Sequence, residues 1–247
     1  MAASDFKSQP GRPHRGPRNI ADGVWVLRGE PGHCNVYLIE DEGGVTMFDA
    51  GARMMARSIG AATNRLGGLR RIVLGHGHTD HRGSAPSLGV PVYCHPDEVA
   101  DAEGSGGFRY WPEGLAGLPA PQRHLHRLLH RFAWDGGPVR IAGTLREGDE
   151  VAGFRVIDLP GHAPGQIGLW REDDRMALVS DTFYTIDMWG RDCAPKLPDA
   201  TYNHDSDQAR ASIRKLAEME PAVAWSGHAK PATGDVRGAL LRAAAAS

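Results

Sequence analysis

Cysteine is scarce: the 247 residues hold three, Cys34, Cys94 and Cys193, an odd number set far apart. That argues against a disulfide framework and leads us to expect a reducing, cytoplasmic setting. Long apolar runs are also missing, and none approaches the roughly 18 residues that a membrane helix needs. The opening MAASDFKSQPGRPHRGPRN has basic residues but no apolar segment, so it does not read as a secretory signal. Nor does one sign of charge dominate. With 28 Lys and Arg against 30 Asp and Glu, the net charge of −2 gives no field that would draw nucleic acid or anionic lipid. What remains, 41% hydrophobic and 23% charged, is ordinary globular composition, in a chain long enough to bury a sizeable core. Histidine stands out, with twelve copies, several of them beside aspartate.

Residues 1–19 mix Pro, Gly, Arg and Ser without apolar periodicity and read as a flexible tail. Residues 20–247 read as one domain with an insertion at about 104–138. Val24–Leu27 is a strand candidate, and Val36–Ile39 and Val45–Phe48, either side of Asp41-Glu42-Gly43-Gly44, form a hairpin. Met55, Ile59, Ala62 and Leu66 fall at helical spacing before Gly67-Gly68. Further short apolar runs lie at 72–74, 91–94, 154–157, 167–170, 176–179 and 223–225. A helix carries Ala209, Ile213 and Leu216, and Asp235 caps a closing one. Hairpins that give way to alternating strands and helices predict a mixed α/β architecture, sheets inside and helices outside. The insertion opens with Phe108, Tyr110 and Trp111, then sets Leu125, Leu128, Leu129 and Phe132 at amphipathic helical spacing.

The chemistry concentrates in His76-Gly77-His78-Thr79-Asp80-His81, delivered by the apolar strand Ile72-Val73-Leu74, with a helix expected to start near Gly83. Chance yields such a string on the order of once in five hundred chains of this composition. A loop at the carboxyl end of a strand is where open α/β sheets place their chemistry. Imidazole nitrogen with carboxylate oxygen suits zinc, iron, manganese or cobalt rather than calcium. Four donors this close serve one ion or divide between two; the alternative is a solvated, His-rich surface loop.

This string resembles the signature of the metallo-β-lactamase superfamily, and other stretches extend the likeness. Pro160-Gly161-His162-Ala163-Pro164-Gly165 matches the family's Pro-Gly-His turn, Asp181 its bridging aspartate and His228 its last histidine, while Phe48-Asp49-Ala50-Gly51 matches an early strand-end motif. The likeness runs from about Gly23 to Gly234. It implies a four-layer αββα sandwich of two mixed sheets flanked by helices. It also implies two divalent metal ions, zinc first, with iron or manganese as alternatives. His76, His78 and His162 would hold one ion, Asp80, His81 and His228 the other, and Asp181 would bridge them with a water or hydroxide. Ser180 departs from the family's usual glycine, and its hydroxymethyl group threatens to crowd the bridge. Asp49 would orient an imidazole N–H from beneath the loop, or else be a plain turn aspartate.

Tyr184, three residues after Asp181, resembles a tyrosine of the acyl-homoserine lactonase branch that hydrogen-bonds the substrate carbonyl; the alternative is packing at the core edge. Asp80 is placed to relay a proton to a leaving group. The expected activity is dinuclear hydrolysis of a carbonyl ester, a lactone or similar small ester, with a small-molecule substrate and neither nucleic acid nor membrane as partner. Alternatives are a mononuclear-iron, persulfide-dioxygenase-like oxidoreductase and a thioesterase of glyoxalase II type. The glyoxalase reading is weakened because that branch carries a long C-terminal helical region, and here the sequence stops at Ser247. The insertion reads as a lid or pocket wall, or as a homodimer contact. His126 and His130 could chelate on one helix face, but without a carboxylate companion they read as solvated, as does His124. His95 reads as a strand-end residue beside a cap, and His33 and His204 as loop residues near the centre.

Overall fold

A computed structural model describes residues 16–29, 33–104, 119–187 and 189–246. Strands β1 (Arg18–Ala21), β2 (Val24–Gly29), β3 (Cys34–Asp41), β4 (Gly44–Phe48), β5 (Leu69–Val73), β6 (Val92–Cys94) and β7 (Ile141–Thr144) lie in that order in a seven-stranded sheet. The pairs from β1 to β4 are antiparallel, and those from β4 to β7 are parallel. A five-stranded sheet has the order β14 (Val223–Trp225), β11 (Met176–Leu178), β10 (Ile167–Arg171), β9 (Phe154–Asp158), β8 (Glu150–Val151). Its only parallel pair is β11 with β14. A small ribbon joins β12 (Tyr184–Ile186) to β13 (Asp192–Lys196). β1 takes in Arg18 and Asn19, which pair with Val26 and Trp25, so the first sheet begins inside the span expected as tail.

The pleat explains the layering. Along a strand, successive side chains point to opposite faces. In β3, Val36 and Leu38 pack into an outer core with Met47, Ile59 and Ile72, while Tyr37 and Ile39 turn inward. Those inward residues meet Val156, Ile167, Leu169 and Leu178 of the second sheet. On that sheet's far face, Ile157, Trp170, Ala177 and Ala224 pack against Ile213, Leu216 and Leu240. Three apolar layers between four layers of structure make the expected αββα sandwich. Each fully buried Leu, Ile or Phe contributes about 1.5–3 kcal/mol to holding it.

Helices α1 (Ala56–Arg65), α2 (Thr79–Arg82), α3 (Val99–Ala102), α4 (Ala120–Leu129), α5 (Ser206–Glu218) and α6 (Val236–Ala245) complete the described chain. α1 buries Ile59 and Ala62, as its spacing predicts. Asp205 caps α5 by accepting from Asp207 N and Gln208 N, and Asp235 caps α6 by accepting from Gly238 N. One expectation changes. The helix after the His-rich string starts at Thr79 and meets its C-cap at Gly83, so Asp80 and His81 lie on it rather than before it. The amphipathic helix of the insertion is present as α4, and among the described residues its apolar face is uncovered: Leu125 is 56% exposed, and Phe132, in the π-turn His130–Trp134, is 66% exposed. Periodicity reported amphipathicity there but not a covering partner. Phe108, Tyr110 and Trp111 lie outside the described residues.

Candidate metal centre

The centre lies at the carboxyl ends of β5, β9, β11 and β14, strands from both sheets. β5 delivers His76 and His78, α2 carries Asp80 and His81, the turn between β9 and β10 carries His162, Asp181 follows β11, and His228 follows β14. All seven candidate ligands converge. The donor atoms of His76, His78 and His162 lie within 4.8 Å of one another, as do those of His76, His81 and Asp181. His162 Nε2 is 3.1 Å from His78 Nδ1. Asp181 stands between the halves: its Oδ2 is 3.5 Å from His162 Nε2 and 3.3 Å from His228 Nε2, and its Oδ1 is 3.3 Å from His81 Nε2. Asp80 Oδ2 lies 3.6 Å from His228 Nε2 and 3.8 Å from His81 Nε2.

Hydrogen bonds on the far ring nitrogens aim these imidazoles. Asp49, wholly buried, accepts from Gly75 N (2.7 Å) through Oδ1 and from His81 Nδ1 (3.0 Å) through Oδ2. The same Oδ2 accepts from the Ser180 hydroxyl at 2.7 Å. With its proton given to Asp49, Ser180 Oγ accepts from His76 Nδ1 at 3.0 Å, and that fixes the tautomer leaving Nε2 as the free lone pair. His162 Nδ1 is met by Asn203 Oδ1 at 3.3 Å. Ser180 therefore does not crowd the bridge; its side chain points down to Asp49 and orients His76. Its φ of 46° is a left-handed conformation, the reason glycine is usual there. Gly227 has its own reason to be glycine, since a Cβ there would collide with Asp181 Oδ1 and the His81 ring.

Glu98, also fully buried, ties the two histidine loops together. Its Oε2 accepts from Gly77 N (2.7 Å) and its Oε1 from Gly165 N (2.8 Å). Glu98, Asn203 and the orienting role of Ser180 went unread in the sequence. Glu98 lies 21 residues from Gly77 and 67 from Gly165, and nothing local marks such an acceptor. Arg82 is buried below, donating to the carbonyls of Asp101 (3.0 Å) and Ala102 and pairing with Asp135 at 3.2 Å, which anchors the end of the insertion beneath α2.

Electrostatics separate the donors. Burial holds the His76 and His78 pKa values well below the ordinary imidazole value, and burial lowers that of His162 as well. Burial pulls on His81 and His228 too, but the Asp181 carboxylate outweighs it and holds both well above the ordinary value. Asp181 in turn stays well below the usual carboxylate range: burial opposes this, and the His228 and His81 charges prevail. Tyr184 opens β12 and donates to Asp181 Oδ2 at 2.8 Å; burial and that carboxylate push its phenol well above its ordinary value, so it remains a donor.

The donor chemistry fits divalent cations of the zinc, iron and manganese class. His76 Nε2 is buried without a hydrogen-bond partner, as a lone pair reserved for a metal would be. Elsewhere, His95 Nδ1 accepts from Asp97 N, a plain cap. His124 and His204 are exposed, and the His126 side chain lies outside the described residues.

Residues 29–228 match the family described as the metallo-beta-lactamase superfamily, and the chain belongs to it. Among curated proteins it is similar to YflN of Bacillus subtilis, a probable metallo-hydrolase, at 31% identity over 230 residues, covering 81% of this chain and 82% of YflN. YqjP of the same organism, also a probable metallo-hydrolase, is 26% identical over 222 residues, covering 82% of this chain and 69% of YqjP. Among solved structures, the metallo-beta-lactamase family protein TTHA1429 of Thermus thermophilus has a TM-score of 0.64 at 25% identity, covering 90% of this chain and 78% of its own. TTHA1623, solved in a di-iron-bound form, has a TM-score of 0.58 at 26% identity, with coverages of 88% and 97%.

Proposed function

We propose that this protein is a dinuclear metal-dependent hydrolase that cleaves carbonyl esters, with lactones and similar small esters as the substrate class. One observation carries the reading: Asp181 lies between an all-imidazole donor set and an Asp-His-His set, within 3.5 Å of a ring nitrogen in each. His76, His78 and His162 would hold one ion, Asp80, His81 and His228 the second, and Asp181 both. Bound there, the ions supply Lewis acidity that brings a water towards neutral pKa and polarises a carbonyl. Zinc suits the donors, and the di-iron form of TTHA1623 shows that a protein of this fold accepts iron.

The chain's own residues supply the rest. Asp49, through His81 and through Ser180, holds two imidazoles in their ligating tautomers. Asp80, its side chain 18% exposed, is the acid–base group that can pass a proton to a departing alkoxide. Tyr184 keeps its proton and can move its hydrogen bond from Asp181 to a developing oxyanion. Tyr184→Phe should lower kcat/KM by about 1–3 kcal/mol in transition-state terms while both metals stay bound. An unchanged rate would leave Tyr184 as a support for Asp181 alone.

Elemental analysis of the purified protein, followed by lactone, ester and thioester panels, tests the whole reading. Near two metals per chain with lactone or ester turnover is expected. About one iron per chain, with oxygen consumed on persulfide substrates, would overturn it in favour of the oxidoreductase. Turnover of thioesters alone would favour the glyoxalase II type.

A further inference from the structure

A third donor cluster lies beside the first two. Cys34 Sγ, an Asp80 carboxylate oxygen and a His228 ring nitrogen all lie within 4.8 Å of one another. Cys34 opens β3 and is 1% exposed. It forms an antiparallel bridge with His228, and their side chains are hydrogen-bonded. Neighbouring bonds lock the two segments in register: Asn35 N donates to Gly227 O at 2.7 Å, and Asn35 Nδ2 donates to Ser226 O and Ala229 O, each at 3.0 Å. Tyr37 Oη donates to Ser226 O at 2.5 Å. The thiol is therefore held against the outer edge of the second half of the centre rather than left to drift in a core. Neither other cysteine is so placed. Cys94 is buried at the end of β6, where burial pushes its thiol up to about 12, and Cys193 lies part-exposed on β13.

We propose that Cys34 is a metal ligand of the second half, joining Asp80 and His228 in a sulfur–oxygen–nitrogen donor set. The inference rests on the dinuclear reading above and adds to it a choice of metal. A thiolate is a soft donor, so this half should favour zinc, cobalt or cadmium over manganese or magnesium more strongly than an oxygen–nitrogen set without sulfur would. On ligation the thiol proton leaves to solvent and the sulfur lone pair goes to the cation, with no oxidant or reductant required.

The full-length protein loaded with cobalt(II) reads this directly, because sulfur-to-cobalt charge transfer absorbs in the near ultraviolet where imidazole and carboxylate ligation do not. Two cobalts per chain with that band are expected. Cys34→Ser should abolish the band and weaken the second cobalt by about 10–100-fold, as changes around a metal site commonly do, whereas Cys193→Ser should leave both unchanged. X-ray absorption of the dizinc protein should show one sulfur near ~2.3 Å for every two zincs. Two bound cobalts without the band would overturn the assignment of Cys34 and leave the dinuclear reading standing. A band that survives Cys34→Ser would also overturn it. A single cobalt per chain would remove both.

Discussion

The two halves of the candidate metal centre, one all imidazole and the other two imidazoles with a carboxylate, hold their histidines in different charge states. In the first, burial and then the charges of neighbouring imidazoles push all three histidines towards the neutral form. In the second, the Asp181 carboxylate outweighs the burial of His81 and His228 and draws protons onto them in the metal-free protein. A neutral imidazole offers its lone pair at once, whereas a protonated one must first release its proton. The first half is preorganised for a cation; the second is stabilised without one by its own ion pairs. The two donor sets thus differ in readiness, set by how strongly the Asp181 carboxylate acts against burial in each.

The largest blow to this comparison would come from His162→Ala. The substitution leaves His76 and His78 without their third nitrogen, so the first metal and essentially all hydrolysis should disappear together. Metal counting alongside initial rates checks it. Full activity with one metal retained would show that the second half works alone, the reverse of the order argued here.

Lowering the pH should separate the halves next. His81 and His228 have raised pKa values in the folded, metal-free chain. Their contribution to its stability is therefore fully present below the unfolded imidazole value of about 6.5 and is lost as pH rises through the folded values. Protons and metal compete for the same nitrogens, so occupancy of the second half should fall first as pH drops. Metal per chain should step from two towards one while the first half, its imidazoles held neutral, stays filled. Equilibrium dialysis across the mildly acidic range would show one two-ion step instead if the halves were alike. The metal-free protein should show the opposite trend, with its melting temperature slipping as pH rises above neutrality.

Much of the candidate ligand set is legible in the chain, though the charge contrast within it is not. The ligand string at residues 76–81 is local, and a strand of branched apolar residues announces its loop. His162, Asp181 and His228 each follow a readable strand. Asp49 could be suspected from its strand-end position. The residues gathered around these ligands are a different matter. Glu98 spans two loops, Asn203 reaches back to His162, and Cys34 meets His228 across 194 positions, so their roles exist only after the sheets have stacked. β7, β12 and β13 escaped for another reason. They are short, partly exposed edge or ribbon strands, β13 contains a proline, and none shows the alternation that a half-buried strand needs. The face of α4 shows the limit from the other side, since spacing exposes an amphipathic helix but is silent on what covers it.

Asp49→Asn sharpens the comparison further, because Asp49 serves both halves. An amide in place of the carboxylate cannot accept from Gly75 N, His81 Nδ1 and the Ser180 hydroxyl together. Metal affinity should fall by about 10–100-fold, as it does when an orienting partner is lost. The loss should be larger at the second half, where the contact to His81 is direct, than at the first, where it passes through Ser180. Isothermal titration of the metal-free variant resolves the two affinities. Equal losses would mean that Ser180 transmits Asp49's influence without attenuation.

Ser180 carries the smallest and most discriminating effect. At φ 46° its side chain sits in left-handed backbone, a strain of about 1–2 kcal/mol for a residue with a Cβ. Its two hydrogen bonds return about 0.5–1.5 kcal/mol each, so the residue is close to neutral for folding and its value lies in the tautomer of His76. Ser180→Gly should then leave the melting temperature nearly unchanged, because strain and hydrogen bonds vanish together. Ser180→Ala keeps the strain and loses the bonds, and it should melt lower than the glycine variant by the strain alone. Both should weaken only the first-half metal, and by similar factors, since both free the His76 ring to turn. If the glycine variant bound that metal as tightly as the parent, the ring would be held by its neighbours and the serine would be a tolerated strain rather than an orienting group.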